Sequence, residues 1–398
     1  MQHNKIVFSK TDRGNSIPGL SRVAPVPTII DTTLRDGEQA PGVVFSLNEK
    51  RRILKLLHHV GIEEVEVGTP SIGAAEQRDI ATLLCDGAVY GMKLFCWCRG
   101  RHDDLEAAAA AGAERVHIGL PVSPLQMRAA GLTGSLVLRR LDTVLSEARS
   151  MFDHVSVGAQ DATRADEAFL IEYVRCAFDA GAFRVRLADT VGVGVPSRIE
   201  SLVRTIKHAC PNVQIEFHGH NDYGLAAANA LSAMSAGADA VSATVLGLGE
   251  RAGNAALETL VLGALHLSEL PVPYLPNELY PLCLAVAASS GRPISPSQPV
   301  VGDAVLRHES GIHVRGQLSN PRCFQPFLPA EVGRTEEDFL YSKMSGRAAA
   351  LHLFRKAGLS PSEADIKVLL ERISIASLEK KRSLQESEVL AMIYDKVD

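Results

Sequence analysis

Short runs of aliphatic and β-branched residues alternate with longer stretches whose apolar positions recur every three to four residues, from Pro27 to about residue 270. Eight short runs stand out, at residues 28–31, 64–68, 93–98, 115–120, 154–158, 184–189, 214–218 and 239–245. Between them, residues 47–60, 103–111, 165–180, 197–209 and 225–236 carry the amphipathic period of helices, and Gly61, Gly112, Gly181 and Gly237 follow as C-terminal stops. Strands alternating with helices in this way predict a parallel sheet. Eight units roughly 30 residues apart fit a closed (β/α)8 TIM barrel better than an open doubly wound sheet. No Gly-x-Gly-x-x-Gly follows the first strand, so the usual dinucleotide-binding signature is missing.

The pattern breaks at Pro271. Proline-rich stretches at 271–276 and 293–299 interrupt helical segments, and the remainder to Asp398 reads as mostly helical with charged faces. The expected organisation is an irregular extension over 1–26, a TIM-barrel catalytic domain over 27–270, and a helical C-terminal subdomain over 271–398. That subdomain would pack at the barrel mouth or against a partner chain.

Composition narrows the function classes. The 398 residues are 46% hydrophobic and 22% charged, enough to bury a large core in one main domain. A formal charge of -5, with Lys and Arg scattered among Asp and Glu, leaves no basic field for nucleic acid. No apolar run approaches the roughly 18 residues of a spanning helix, and the first 27 residues lack the apolar core of a signal peptide, so no membrane partner and a cytoplasmic location are expected. Seven dispersed cysteines argue for reduced thiols. Cys96 and Cys98 share one face of a strand, and without a nearby Cys/His pair at zinc spacing they read as small buried side chains.

Barrel enzymes carry their reactive groups at the C-terminal ends of the strands. After the first strand stands Asp31-Thr32-Thr33-Leu34-Arg35-Asp36-Gly37-Glu38-Gln39, and after the seventh His218-Gly219-His220-Asn221-Asp222. Alternation puts both imidazoles on one side of an extended backbone, where they can share a divalent ion. Strands one and seven lie two apart around the barrel, so Asp36 can complete the set. Two imidazoles and one carboxylate leave positions open for the oxygens of a 2-oxo acid.

These stretches, together with Gly247-Leu248-Gly249-Glu250-Arg251-Ala252-Gly253-Asn254 and His308-Glu309-Ser310-Gly311-Ile312-His313, resemble the homocitrate and 2-isopropylmalate synthase family. Glu66-Val67-Gly68-Thr69-Pro70, Trp97-Cys98-Arg99 and Ala188-Asp189-Thr190-Val191-Gly192 resemble the nitrogen-fixation type of homocitrate synthase most. The resemblance implies a metal-dependent acyltransferase that condenses acetyl-CoA with a 2-oxo acid and releases CoA. It implies Asp36, His218, His220 and Asn254 as ligands of a divalent ion (Mg, Mn, Co or Zn). It implies Arg35 beside the substrate carbonyl, and Thr190 holding a carboxylate. Arg99 and Arg315 would be further substrate contacts, and His313 the group that removes the acetyl proton. The loop with Gly247, Gly249 and Glu250 would approach CoA. A homodimer is implied as well, with His313 entering the partner's barrel.

Several positions depart from the family pattern. Gln160 stands where many relatives have glutamate, and an amide cannot trade protons. Arg315 replaces an aspartate of the nitrogen-fixation type, Met344 a usual histidine, and Phe324 a frequent tyrosine. Residues 123–135 lack the basic run associated with the far carboxylate of 2-oxoglutarate. The metal machinery is intact and the acceptor pocket altered, so 2-oxoglutarate giving homocitrate has a rival in phosphonopyruvate giving 2-phosphonomethylmalate. Pyruvate and 2-oxoisovalerate rank lower. A hydroxyacyl-CoA lyase is disfavoured because no glycine-flanked cysteine resembles the lyase signature, Cys323 lying between Arg322 and Phe324. A binding protein without activity is disfavoured by the complete set Arg35, Asp36, His218, His220 and His313.

Overall fold

A computed structural model describes residues 27–267, 273–335 and 338–394. The extension expected over 1–26 lies outside the described residues.

Eight strands close into a parallel barrel in sequence order, β1 (Thr28–Asp31), β2 (Glu64–Gly68), β3 (Lys93–Arg99), β4 (Arg115–Pro121), β5 (His154–Gln160), β6 (Arg184–Asp189), β7 (Gln214–Gly219) and β8 (Ala240–Ala243). β1 pairs with β8 through Thr28–Ala240 and Asp31–Ala243, which completes the ring. Helices α1 (Leu47–Val60), α2 (Ala74–Tyr90), α3 (His102–Ala110), α4 (Pro124–Ala129), α5 (Gly134–Met151), α6 (Glu167–Asp179), α7 (Pro196–Ala209), α8 (Ala226–Ser235) and α9 (Leu257–Leu267) cover the outside.

Local chemistry sets the helix ends. Ser46 and Glu49 form a reciprocal capping box at the start of α1, and Gly61 closes it in the left-handed region at φ 93°. Asp166 caps α6 by accepting from the Phe169 amide. The apolar faces so oriented, among them Ile53, Leu57, Leu141 and Val203, bury against outward-facing strand residues such as Val65, Val185, Ile215 and Phe217.

The barrel lumen is not filled by aliphatic side chains alone. Glu64 and Glu66 on β2 pair with Arg184 and Arg186 on β6, at 2.7 Å for Arg184–Glu64, and Arg186 also meets Glu216 of β7 at 2.6 Å. β2 and β6 are opposite staves of an eight-stranded barrel, so these pairs cross its interior. Ser242 of β8 donates to Glu216 and extends the network. A buried array of this kind is costly to break, because removing one partner strands the other charge away from water.

Helix α10 (Leu279–Ser290) inserts Leu279, Leu282, Cys283 and Val286 into the barrel's core, which continues as far as Val332. Tyr274 accepts a hydrogen bond from the Ile29 amide at 2.7 Å and ties this region to β1. A second core forms from Val314, Tyr341, Leu353, Leu369, Ile373 and Leu384. It is carried mainly by α11 (Gly311–Ser319), α12 (Arg347–Lys356), α13 (Glu363–Lys380) and α14 (Glu386–Tyr394). The packing therefore changes from one core to the other well after the expected boundary at residue 270. Among the described residues no helix is long and apolar enough to cross a membrane.

Candidate active site

The turn after β1 is braced before it presents any reactive group. Buried Asp31 accepts from the Thr33 amide (2.9 Å) and hydroxyl (2.8 Å), and Thr33 Oγ1 in turn accepts from the Val245 amide beyond β8. Burial pushes the Asp31 carboxyl up to about 7. The brace fixes Arg35 and Asp36, which follow Leu34, over the barrel mouth.

Asp36 Oδ2 lies 3.0 Å from His218 Nε2 and 4.0 Å from His220 Nε2, and the two imidazole nitrogens are 3.1 Å apart. Among the described residues these three form the one Asp/Glu/His/Cys group spaced to hold a metal ion, with ligand atoms all within 4.8 Å. Donors about 2.1 Å from one ion stand roughly 3.0 Å apart at a right angle and about 4.2 Å apart at a straight angle. The observed spacings fall within that range, so the side chains fit a divalent ion. Their protonation fits too. Burial opposes ionisation of Asp36, yet Arg35 and the imidazoles outweigh it and hold the carboxyl well below its usual range. Burial and the neighbouring His218 push His220 down to about 4, leaving a neutral imidazole whose lone pair can ligate.

Asn254 is buried and forms an isolated bridge with His220. Its Nδ2 donates to Leu248 O at 3.0 Å, while its Oδ1 is buried without a hydrogen-bond partner. That idle acceptor is consistent with a further oxygen ligand. One contact runs the other way. Arg251 Nη2 sits 3.0 Å from His220 Nδ1, and a ring that ligates through Nε2 keeps its proton on Nδ1, facing a second donor. Arg251 already bonds Asp222 and Thr190 O, so it has partners that relieve this conflict.

Arg35 is clamped. Its Nε and Nη2 reach Glu66 Oε2 at 2.7 and 2.5 Å, Nη1 lies 3.5 Å from Asp36 Oδ2, and the guanidinium stands 5.8 Å from the Trp97 ring. Thr190 Oγ1 accepts from the Asp161 amide at 2.8 Å, which leaves its own proton to donate. Arg35, Asp36, Thr190, His218, His220 and Glu250 all line one cavity of about 280 Å³ at the mouth.

The loop that follows β8 folds back on itself. Asn254 N donates to Gly247 O at 2.9 Å, and a Cβ on Gly253 would stand 1.9 Å from that oxygen. A Cβ on Gly249 would meet Asn254 Nδ2 at 2.3 Å, so both glycines are required by close approach. Gly247 has φ 65°. The loop thus holds Asn254 under the site and turns Glu250 into the cavity.

Three expected contacts fall elsewhere. Arg99 lines an adjoining cavity rather than the central one, and its Nε and Nη2 are engaged by Asp104 at 2.8–3.2 Å. His313 and Arg315 are exposed on α11 and do not line the cavity, because that helix turns Val314 and Gln317 inward. His313 stacks on Phe324 with centroids 4.3 Å apart. Cys96 and Cys98 are buried and unpaired, and burial pushes the Cys96 thiol up to about 12.

Other residues join the site that motif reading did not assign to it. Glu66 and Arg186 position Arg35, and His117, Trp97, Gln126 and Gln160 form the wall on the β3–β5 side. A signal was present for the first pair. Glu64-x-Glu66 and Arg184-x-Arg186 place opposite charges at period two within apolar strands, which fits facing walls of a filled barrel.

Residues 26–278 match the HMGL-like family model, and residues 300–381 match the model described as homocitrate synthase post-HMGL domain-like. The chain is 41% identical to homocitrate synthase 1 of Nostoc sp. over 92% of its length and 97% of the relative's. It is 40% identical to 2-isopropylmalate synthase 2 of Caldanaerobacter subterraneus subsp. tengcongensis, covering 92% and 95%. To the 2-phosphonomethylmalate synthase of Streptomyces rubellomurinus it is 36% identical, covering 92% and 97%. The barrel, the Asp36–His218–His220 cluster at its rim and these matches agree: the chain belongs to the HMGL-like family and carries a post-HMGL domain-like region behind its barrel.

Proposed function

We propose that this protein condenses acetyl-CoA with a 2-oxo acid, forming a carbon–carbon bond at the ketone and hydrolysing the thioester to free CoA. The observation that carries this reading is the cluster of Asp36, His218 and His220 beside a guanidinium that cannot swing away. A divalent ion held by the cluster, with Asn254 in reach as a further ligand, would supply Lewis-acid polarisation of the 2-oxo carbonyl.

The chain's own groups supply the rest. Arg35, locked by Glu66, faces the place where alkoxide charge develops and stabilises it without reorganising. Thr190 donates its hydroxyl proton to the acceptor's carboxylate. His313 takes a proton from the acetyl methyl group, an imidazole being suited to that at neutral pH. Because α11 directs His313 away from the cavity of its own chain, that step needs the second copy of a homodimer, as family resemblance implies.

The acceptor we favour is 2-oxoglutarate, giving homocitrate, by likeness to the Nostoc relative and the nitrogen-fixation motifs. Phosphonopyruvate, giving 2-phosphonomethylmalate, is the second reading, supported by the Streptomyces relative. His117, Gln126 and Gln160 set three polar side chains beside Trp97 in the wall, which suits an acceptor with a polar end.

The test is thiol release from acetyl-CoA with 2-oxoglutarate, phosphonopyruvate, oxaloacetate, pyruvate and 2-oxoisovalerate, each before and after chelation. Release with a dianionic acceptor, abolished by chelation and restored by a divalent ion, is expected. Release that survives complete metal removal, or cleavage of a hydroxyacyl-CoA in place of condensation, would overturn the reading.

A further inference from the structure

One carboxyl in the barrel's shell is buried without any charge to answer it. Glu258, in the first turn of α9, is fully shielded from water and makes no ion pair among the described residues. Its partners are both neutral: Oε2 accepts from the Leu246 amide at 3.0 Å, and Oε1 accepts from Gln298 Nε2 at 2.8 Å. Burial pushes the carboxyl above its usual range. Hiding an acid in this way costs free energy that an apolar side chain of the same size would avoid, so the two bonds it accepts have to account for its presence.

Leu246 is held where a leucine rarely rests. Its backbone is left-handed, at φ 59° and ψ 15°, and Gly247 follows at φ 65°. A residue with a Cβ stays in that region only when its surroundings fix it, and the Glu258 bond falls on this residue's own amide. The turn aims the rest of the loop after β8. Gly247 O accepts from the Asn254 amide at 2.9 Å, and Asn254 Nδ2 donates to Leu248 O at 3.0 Å, so the backbone and side chain of Asn254 both hang on residues just beyond Leu246. The other end of the tie is equally fixed. Gln298 donates from its backbone amide to Ser295 O and accepts from the Gly302 amide, both at 2.9 Å, and Arg334 Nη1 in turn reaches Gly302 O at 2.9 Å.

We propose that Glu258 is a positioning residue for the metal site: it carries the rigidity of the stretch after α10 into the Leu246–Gly247 turn, and thereby fixes Asn254, whose Oδ1 is the idle acceptor there. The inference rests on the reading of Asn254 as an oxygen ligand beside Asp36, His218 and His220. A carboxyl that only stabilised the fold would act on the barrel as a whole. A positioning carboxyl acts on ion affinity and on one loop.

The experiment uses the full chain and two replacements of similar length. Glu258→Met keeps the bulk and removes the acceptors. Glu258→Gln still accepts from the Leu246 amide through its carbonyl oxygen, and offers its NH2 to Gln298 once that amide turns over. Calorimetric titration of Mn²⁺ into chelator-treated protein should give at least tenfold weaker binding for Glu258→Met than for wild type, and an affinity within threefold of wild type for Glu258→Gln. In an Asn254→Ala background, Glu258→Met should change the affinity less than twofold, because the ligand it positions is already gone. Equal Mn²⁺ binding by wild type and Glu258→Met, or a further tenfold loss in the Asn254→Ala background, would overturn the proposal. Hydrogen exchange separates it from the metal reading. Should wild type bind no ion, at least tenfold faster exchange in peptides spanning residues 247–255 of Glu258→Met, with β2 and β6 unchanged, still supports the tie, while equal exchange or a rise spread over the barrel refutes it. If Glu258→Met does not fold, Gln298→Met is measured in the same ways, with threefold weaker binding or threefold faster loop exchange expected and no change as the refuting result.

Discussion

On the β1–β7–β8 side of the mouth nearly every polar group is held by another. Asp31 braces the turn, Glu66 grips Arg35, Asp222 holds Arg251, and the loop through Asn254 closes on Gly247. On the β3–β5 side Gln160 and Gln126 stand beside bare Gly119 and open onto exposed arginines. The difference teaches where each kind of information resides. Groups that perform bond chemistry need fixed positions and are buried in networks, whereas the wall that selects a substrate can be loose and differ between relatives.

The strongest way to break this contrast is on the fixed side. His218→Ala removes a donor from the metal cluster and should lower thiol release by about 10³-fold or more, since several kcal/mol of charge stabilisation is lost. A tenfold or smaller loss would mean that the cluster is not central. Glu66→Gln leaves Arg35 and Arg186 short of a buried counter-charge and should cost about 3–5 kcal/mol in urea unfolding. An effect below about 1 kcal/mol would show that water or another group replaces Glu66.

The open side should respond more gently and more selectively. Gln160→Glu places a negative charge by the acceptor's far end, and should reduce kcat/KM for dianionic acceptors about tenfold relative to pyruvate. Equal effects on all acceptors would remove Gln160 from the selecting wall. The homodimer is tested by mixing Asp36→Asn with His313→Ala chains after exchange. If His313 acts across the dimer, statistical pairing should restore roughly a quarter of wild-type turnover, since half the dimers carry one complete site. No recovery would place His313 in its own barrel.

The last effect concerns pH and the brace beneath the site. Asp31 has its folded-state carboxyl raised from 3.8 to about 7, so the folded state binds the proton more tightly than the unfolded state. The resulting contribution is fully present at low pH and is lost as pH rises from about 4 towards 7. Asp31→Asn should flatten that decline in chemical unfolding measured at pH 4, 5.5 and 7. An unchanged slope would show that Asp31 is ionised throughout.

Much of the barrel was legible because hydrophobic period and strand ends speak directly. The first, second and sixth runs coincide with β1, β2 and β6, and the run read at 47–60 is α1 itself. The meeting of His218 and His220 was readable because alternation fixes their side of the strand. Glu66, Arg186 and Glu216 were harder. Charges within a strand look solvent-facing until closure of the sheet puts opposite signs face to face. The engagement of Arg99 was hidden for a different reason, since Asp104 sits in the first turn of the next helix and captures it locally. His313 and Arg315 depend on how α11 rolls against the second core, which a short helix with few apolar positions does not reveal.

Calorimetric titration of Mn²⁺ into chelator-treated protein, wild type beside Asp36→Asn, tests the account most directly. One ion per chain with wild type, and none in the same concentration range with the variant, is the result expected. Identical binding by both, or no binding by the folded wild type, would contradict it.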